Sequence, residues 1–205
     1  LGRVPLGMGD DKNGREKQAR DADRRQRERD IDAELRRGDE PEPPVAPTAL
    51  DEFESELEPL DFPATGSEII ATVGDREVAS SDRAYTLDEL VPETDEDTFD
   101  SPAAVRVYVQ RPTVAAAMKR VTEASKALPN VELPWSQRKA YEMTFQELTA
   151  IDPDDDDEGV HTITDWIVEH IRDKQTLPGS RGVRRQAAKF CRANGYQVRT
   201  DEWLG

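Results

Sequence analysis

Residues 178–195 read Pro-Gly-Ser-Arg-Gly-Val-Arg-Arg-Gln-Ala-Ala-Lys-Phe-Cys-Arg-Ala-Asn-Gly, and this spacing predicts an α-helix with two different faces. Ser180 is predicted to be the N-cap, and Gly195 is predicted to close the helix in the left-handed conformation. At about 100° per residue, apolar residues share one side, and four cationic residues gather within roughly a quarter-turn on the opposite side. The apolar set is Val183, Ala187, Phe190 and Cys191, and the cationic set is Arg181, Arg185, Lys189 and Arg192.

The charge of this helix opposes that of the whole chain, which has 205 residues and a formal net charge of -16. Between residues 172 and 199, eight basic residues face a single acid, Asp173, which leaves a net charge of +7. Such a local reversal of sign predicts an anionic partner, either another molecule or another part of the chain. The candidate nucleic-acid-binding residues are therefore Arg181, Arg184, Arg185, Lys189, Arg192 and Arg199.

A second helix and a short strand are predicted on either side of the basic helix. Residues 162–165, Thr-Ile-Thr-Asp, resemble a capping box and predict a helix that runs to about Lys174. Residues 196–199 alternate like a short strand. The connection from 175 to 179 is longer than that of a helix-turn-helix, so that motif is not matched. No aromatic residue interleaves with the arginines, as one would on a stacking platform for single strands.

The first 47 residues are predicted to be a charged arm and a proline-rich linker, both largely disordered. From Lys12 to Arg37, ten basic and seven acidic residues leave almost no apolar stripe. Residues 38–47 combine prolines with acidic charge, which keeps a linker extended.

Residues 48–111 are predicted to form a small α+β unit. Three helices are predicted in it. The first carries Leu50, Phe53, Leu57 and Leu60 at helical spacing, the second is capped by Thr65 or Ser67, and the third starts at Ser101-Pro102. Short strands are expected at residues 75–78 and 84–86.

Residues 112–205 are predicted to form a helical unit that ends in the basic helix and the short terminal strand. Apolar stripes predict a helix from Pro112 to about Leu128 and another from Pro134 to about Ile151. The fold class expected is α+β, mostly helical, with a small central unit followed by a helical C-terminal unit.

Four stretches of the central unit resemble a family of small acidic haloarchaeal proteins of unknown function. They are Phe-Pro-Ala-Thr at 62–65, Val-Gly-Asp at 73–75, Tyr-Thr-Leu-Asp-Glu-Leu at 85–90 and Thr-Phe-Asp-Ser-Pro at 98–102. They occur in the same order as in that family, whose members also tend to start with a charged arm like residues 11–29. The resemblance covers about residues 10–110 and implies no activity, ligand or catalytic residue.

The acidic composition favours a protein that stays soluble in concentrated salt. Between residues 38 and 159, 30 acids face nine bases, a net charge of -21. In about 1 M salt the screening length is only about 3 Å. A basic helix would then bind phosphate through close contacts, such as bidentate arginine hydrogen bonds, rather than through long-range attraction.

Several classes of site are disfavoured by the sequence. The single cysteine, Cys191, excludes an intramolecular disulfide and a cysteine-based zinc site. Residues 152–163 lack the glycine and glutamate that an EF-hand needs at its sixth and twelfth positions. His161, Asp165 and Glu169 share a helix side, but Asp165 is better used at the predicted cap. We therefore expect no metal and no cofactor.

No catalytic motif, membrane span or leader peptide stands out, so we expect a soluble, cytoplasmic protein that is not an enzyme. The leading hypothesis is a salt-adapted binding protein that contacts nucleic acid or a ribonucleoprotein through the basic C-terminal helix. The alternative is a protein–protein adaptor in which that helix is neutralised by the chain's own acidic segments, such as residues 152–159.

Overall fold

A computed structural model of the chain describes residues 43–80, 83–95, 98–129, 131–151 and 157–196. These residues belong to one compact unit that begins at Pro43. Several sequence predictions lie outside the described residues: the charged arm, most of the acidic run at 152–157, the terminal strand beyond Tyr196, and the candidate residue Arg199.

The described residues form eight α-helices and four short β-strands, which confirms the mostly helical α+β class. The helices are α1 (Pro47–Leu57), α2 (Gly66–Val73), α3 (Leu87–Leu90), α4 (Pro102–Val109), α5 (Pro112–Lys126), α6 (Trp135–Ile151), α7 (Glu158–Lys174) and α8 (Ser180–Ala193). The strands are β1 (Ala64–Thr65), β2 (Glu77–Ala79), β3 (Ala84–Thr86) and β4 (Thr98–Phe99). Strand β1 pairs with β4 and β2 with β3, both antiparallel, with Ala64 opposite Phe99 and Val78 opposite Tyr85.

The caps of α2 and α4 are those that the sequence predicted. Thr65 accepts a hydrogen bond from the Glu68 amide at 3.2 Å, and the Glu68 carboxylate accepts one from the Thr65 amide at 2.8 Å. Thr65, rather than Ser67, is therefore the N-cap of α2. Ser101 accepts a hydrogen bond from the Ala104 amide at 3.2 Å, and Pro102 occupies the first position of α4.

Two hydrophobic clusters stabilise the fold. The N-terminal cluster lies among α1–α4 and the small strands, and its largest buried side chains include Phe53, Leu57 and Ile69. The C-terminal cluster lies among α5–α8 and is built around Tyr141 and Phe145. Helix α5 contributes to both clusters: Ala115 belongs to the first, whereas Val114, Ala117, Met118 and Val121 belong to the second. The division of these residues into separate units at 111/112 stays a prediction.

Two sequence predictions are corrected by tertiary packing. The linker was expected to extend to residue 47, but Val45 is only 2% exposed in the N-terminal cluster and α1 begins at Pro47. The capping box predicted at Thr162–Asp165 is wrong, because α7 begins at Glu158. Burial of Val160 in the C-terminal cluster extends α7 toward its N-terminus.

Candidate nucleic-acid interface

Helix α8 is fixed to the protein by the apolar side that the sequence predicted. Val183, Ala187 and Cys191 are fully or almost fully buried, and Ala188 joins them. Phe190, which was predicted to belong to the same set, is half-buried: it packs against the C-terminal cluster and also stacks on Tyr196, with the ring centroids 6.4 Å apart. The buried strip keeps the opposite side of α8 turned toward solvent.

The C-terminus of α8 is closed by a Schellman motif, which confirms the prediction for Gly195. Gly195 has a φ of 78°, and its amide donates to the Arg192 carbonyl at 3.3 Å. The Tyr196 amide donates to the Cys191 carbonyl at 2.9 Å. The stacking of Tyr196 on Phe190 adds the hydrophobic contact that often accompanies this motif.

The N-terminus of α8 differs from the prediction by one residue. Ser180 is the first helical residue and Gly179 is the N-cap, with no side chain accepting a cap hydrogen bond. The first turn contains no acid, and it carries Arg181. The positive end of the helix macrodipole and this guanidinium therefore reinforce each other.

Four side chains form what we call the cationic face of α8: Arg181, Arg185, Lys189 and Arg192. All four are exposed, and none of them forms an ion pair or a hydrogen bond with a residue that the structure describes. The four-residue spacing of the first three places successive cations about 6 Å apart along the helix axis. Arg184 lies between this face and the buried strip and is half-buried, so we do not include it in the cationic face.

Two further cations lie where α7 leads into α8. Arg172 and Lys174 in the last turn of α7 are exposed, and neither is ion-paired with a described residue. Gln175 ends α7 in the left-handed conformation with a φ of 56°, which turns the chain back toward α8. The connection between these helices thus joins the cations of α7 to the start of the cationic face.

This connection is anchored to α6 by hydrogen bonds to one carbonyl group. Gln137 donates its Nε2 to the Pro178 carbonyl at 2.7 Å, and the buried Tyr141 hydroxyl donates to the same oxygen. Gln137 also donates to the Tyr141 hydroxyl at 2.7 Å. Burial raises the pKa of Tyr141 to about 12, so the phenol stays protonated and remains a donor at neutral pH.

Helices α6 and α8 run side by side in the same direction. Their N-terminal ends meet at Gln137 and Pro178. Toward their C-terminal ends, Leu148 and Phe190 both lie close to Gly159, where an added Cβ would be 3.3 Å and 3.1 Å from them. The start of α6 is therefore next to the start of α8.

Trp135 also lies at this end of α6, and sequence reasoning did not single it out. It is the first residue of α6, two residues before Gln137, and it is 73% exposed. The aromatic residue of α8, Phe190, lies on the side opposite the cationic face. Because Trp135 and Gln137 are about 200° apart around α6, the contact of Gln137 with Pro178 leaves the indole on the side of α6 that faces away from α8.

The other candidate groups have structural roles. Asp165, considered above as a cap or a metal ligand, accepts a hydrogen bond from Arg120 at 2.7 Å. His170, which follows Glu169 on α7, packs against Trp166, with the ring centroids 5.4 Å apart. In the described ranges there is no cluster of three His, Cys, Asp or Glu residues suited to a metal. Cys191 is buried, and this burial raises the pKa of its thiol.

A polar cleft of about 380 Å³ separates the C-terminal part of α5 from the N-terminal part of α6. Lys126 and Arg138 line it together with Glu132, Val131 and Leu133. Both signs of charge are present in this cleft, unlike on the cationic face.

Residues 47–121 match the family model described as "Family of unknown function (DUF5789)". The match begins at the first residue of α1 and ends within α5, so α8 lies outside it. No curated protein and no solved structure matches the chain significantly.

A helix that spans a bilayer must be both long and predominantly apolar. Among the residues that the structure describes, no helix meets both requirements.

Proposed function

We propose that this protein binds nucleic acid, free or in a ribonucleoprotein, through the cationic face of α8. The observation that carries the proposal is the presence of four exposed cations on one side of a firmly packed helix, none ion-paired with a described residue. Guanidinium and ammonium groups supply charge and hydrogen-bond donors but neither a nucleophile nor a base at neutral pH. This chemistry suits binding rather than catalysis.

The charge distribution supports a defined orientation of the protein on its ligand. Residues 38–159 carry a net charge of -21, which repels a polyanion. Residues 172–199 carry +7. A nucleic acid would therefore approach the α8 side of the molecule and be kept away from the rest of it.

Adaptation to concentrated salt is part of the proposal. The excess of carboxylates and the resemblance of the central residues to haloarchaeal proteins both support this adaptation. We also propose that the protein is located in the cytoplasm, where nucleic acid is available. At molar salt, long-range attraction is screened. Arginines that are already exposed on a rigid helix can still form close hydrogen bonds to phosphate.

The test compares two variants with the same loss of charge. One replaces the cationic face (R181Q/R185Q/K189Q/R192Q), and the matched control replaces four cations that are ion-paired within the fold (R76Q/R83Q/R120Q/K139Q). Binding to a fluorescein-labelled 20-nucleotide RNA is measured by anisotropy from 0.1 to 1 M KCl, and thermal unfolding is measured in parallel.

We expect log K for the wild type to fall with log[KCl] with a slope of about -3, as for four contacts with a single strand. The cationic-face variant should lose this slope and most of the affinity, whereas the control should keep both. Equal binding by the wild type and the cationic-face variant would contradict the proposal. Equal binding together with a lower melting temperature of that variant would instead support the adaptor with an internally neutralised helix.

A further inference from the structure

The four residues of the cationic face form a single row along one flank of α8. At about 100° per residue they fall within an arc of about 80°, and from first to last they span about 16 Å of the helix axis. The flank on one side of this row carries no charge, and its residues are Gly182, Gln186 and Ala193. On its other side the row borders Arg184 and the buried strip. The cations can therefore follow one line of phosphates, but not two lines on opposite sides of the helix.

The same surface has no place on which a base could stack. Among the described residues of α8 and its C-terminal cap, the aromatic ones are Phe190 and Tyr196, which are half-buried and stacked on each other. Phe190 lies at least about 100° around the helix from each cation of the face. Trp135 faces away from α8. Proteins that hold single strands combine a positively charged groove with aromatic rings on which the bases stack. The cationic face offers contacts to phosphates without such a platform.

These properties favour a duplex over a single strand as the ligand. The phosphates of a flexible single strand must be ordered before they line up along a fixed row of cations, and this ordering costs free energy on binding. In a duplex the bases are already stacked and paired, and the phosphates are already held in line. Each phosphate contact with duplex DNA also releases more counterions, about 0.9 compared with about 0.7 for a single strand.

We infer that the cationic face of α8 lies along the phosphate backbone of one strand of a double-stranded nucleic acid and binds it without regard to base sequence. The inference rests on the proposed function, since the same four cations supply the contacts. It adds the form of the nucleic acid and the manner of recognition. Contacts to phosphates position a protein on a duplex but do not themselves carry sequence information.

The experiment measures anisotropy with two fluorescein-labelled 20-base-pair DNA duplexes of unrelated sequence and with one single strand from each. The proteins are the wild type, the cationic-face variant and the matched control with four replaced ion-paired cations, and KCl is varied from 0.1 to 1 M. The wild type should bind both duplexes alike and more tightly than either strand. For four contacts, log K should fall with log[KCl] with a slope of about -3.6 for a duplex and about -2.8 for a strand. The preference for the duplex should therefore grow about sixfold between 1 M and 0.1 M KCl. The control should keep this preference, and the cationic-face variant should lose binding to both forms.

The comparison of duplex with strand needs the wild type alone, so it does not depend on the folding of a variant. If the wild type binds a single strand, of DNA or of the 20-nucleotide RNA, as tightly as the duplexes, the inference is wrong. The proposed function then stands as long as the cationic-face variant loses that binding. A difference of about tenfold or more between the two duplexes would reveal base contacts and would also overturn the inference. If the cationic-face variant binds the duplexes like the wild type, the inference and the proposed function are both wrong.

Discussion

Basic residues are used differently in residues 47–121, which match the family of unknown function, and in α8. In the first region all six basic residues are engaged with partners. Arg106 on α4, for example, lies 2.6 Å from Asp51 and 3.0 Å from Glu54 on α1. In α8 none of the five basic residues forms an ion pair with a residue that the structure describes.

This difference shows that a basic residue can either stabilise the fold or remain available to a ligand, depending on the acids around it. Where acids are abundant, a cation finds one on a neighbouring element and connects the two, as Arg120 on α5 connects to Asp165 on α7. Where the local sequence is almost purely basic, such neighbours are lacking and the donors remain directed to solvent. The first arrangement stabilises a fold, and the second is suited to a ligand.

The largest expected change in stability is that of a glycine substitution in residues 47–121, and a glycine substitution on α8 is its counterpart. In G66A the new Cβ would lie 2.0 Å from the Pro92 carbonyl oxygen, a backbone atom that cannot move cheaply, so we expect a loss of about 3 kcal/mol. In G182A on α8 the Cβ meets nothing within 4 Å. This variant should gain about 0.5–1 kcal/mol from reduced chain entropy.

Urea unfolding followed by circular dichroism at constant salt measures both changes. Together the two variants test whether residues 47–121 are closely packed at Gly66 and whether the surface of α8 has free space at Gly182. A G66A protein as stable as the wild type would show that the contact of α2 with Pro92 does not constrain the first region.

The sequence predicted those parts of the fold that depend on local chemistry. Thr65 and Ser101-Pro102 identify helix starts because the capping groups are adjacent in the chain. The faces of α8 followed from helical spacing alone. Signals of this kind require no knowledge of the tertiary structure.

The parts that were missed depend on contacts between distant residues. Val45 is preceded and followed by prolines and acids, so the sequence indicates a linker, yet it is buried against α1 and its neighbours. The start of α7 lies next to an acidic run that resembles a loop. The contact between α6 and the start of α8 depends on a hydrogen bond from Gln137 to a backbone carbonyl, which leaves no pattern in the sequence.

An intermediate change in stability is expected where Gln137 and Tyr141 of α6 donate hydrogen bonds to the Pro178 carbonyl before α8. Y141F removes a buried hydroxyl that donates to Pro178 and accepts from Gln137, and we expect a loss of about 1–2 kcal/mol at pH 7. Because the folded protein raises the pKa of Tyr141 to about 12, its neutral form is favoured in the folded state. The stability that results from this preference is fully present at pH values below about 10, the pKa of the tyrosine in the unfolded chain.

The stability that Tyr141 contributes is lost as the pH rises from about 10 to about 12, because the Tyr141 hydroxyl ionises at a lower pH in the unfolded chain than in the folded protein. Over this window the wild type should lose about 2–3 kcal/mol more than Y141F does. Chemical unfolding at pH 9, 10, 11 and 12 measures the difference between the two proteins, which cancels the ionisation of lysines. Parallel pH profiles would show that Tyr141 does not hold its proton in the fold.

The smallest expected changes in stability come from two single-charge variants, one in residues 47–121 and one in α8, and they test the difference between the two regions most directly. R106Q breaks a pair of contacts to Asp51 and Glu54, both partly exposed, and should cost about 1 kcal/mol at low salt and less in 1 M KCl. R185Q removes an exposed cation with no described ion-pair partner, so stability should change by less than about 0.5 kcal/mol at either salt. RNA affinity should respond the other way, falling in R185Q and remaining unchanged in R106Q. If R185Q instead destabilises the fold as much as R106Q does, its guanidinium is neutralised within the protein, and the two regions use their cations alike.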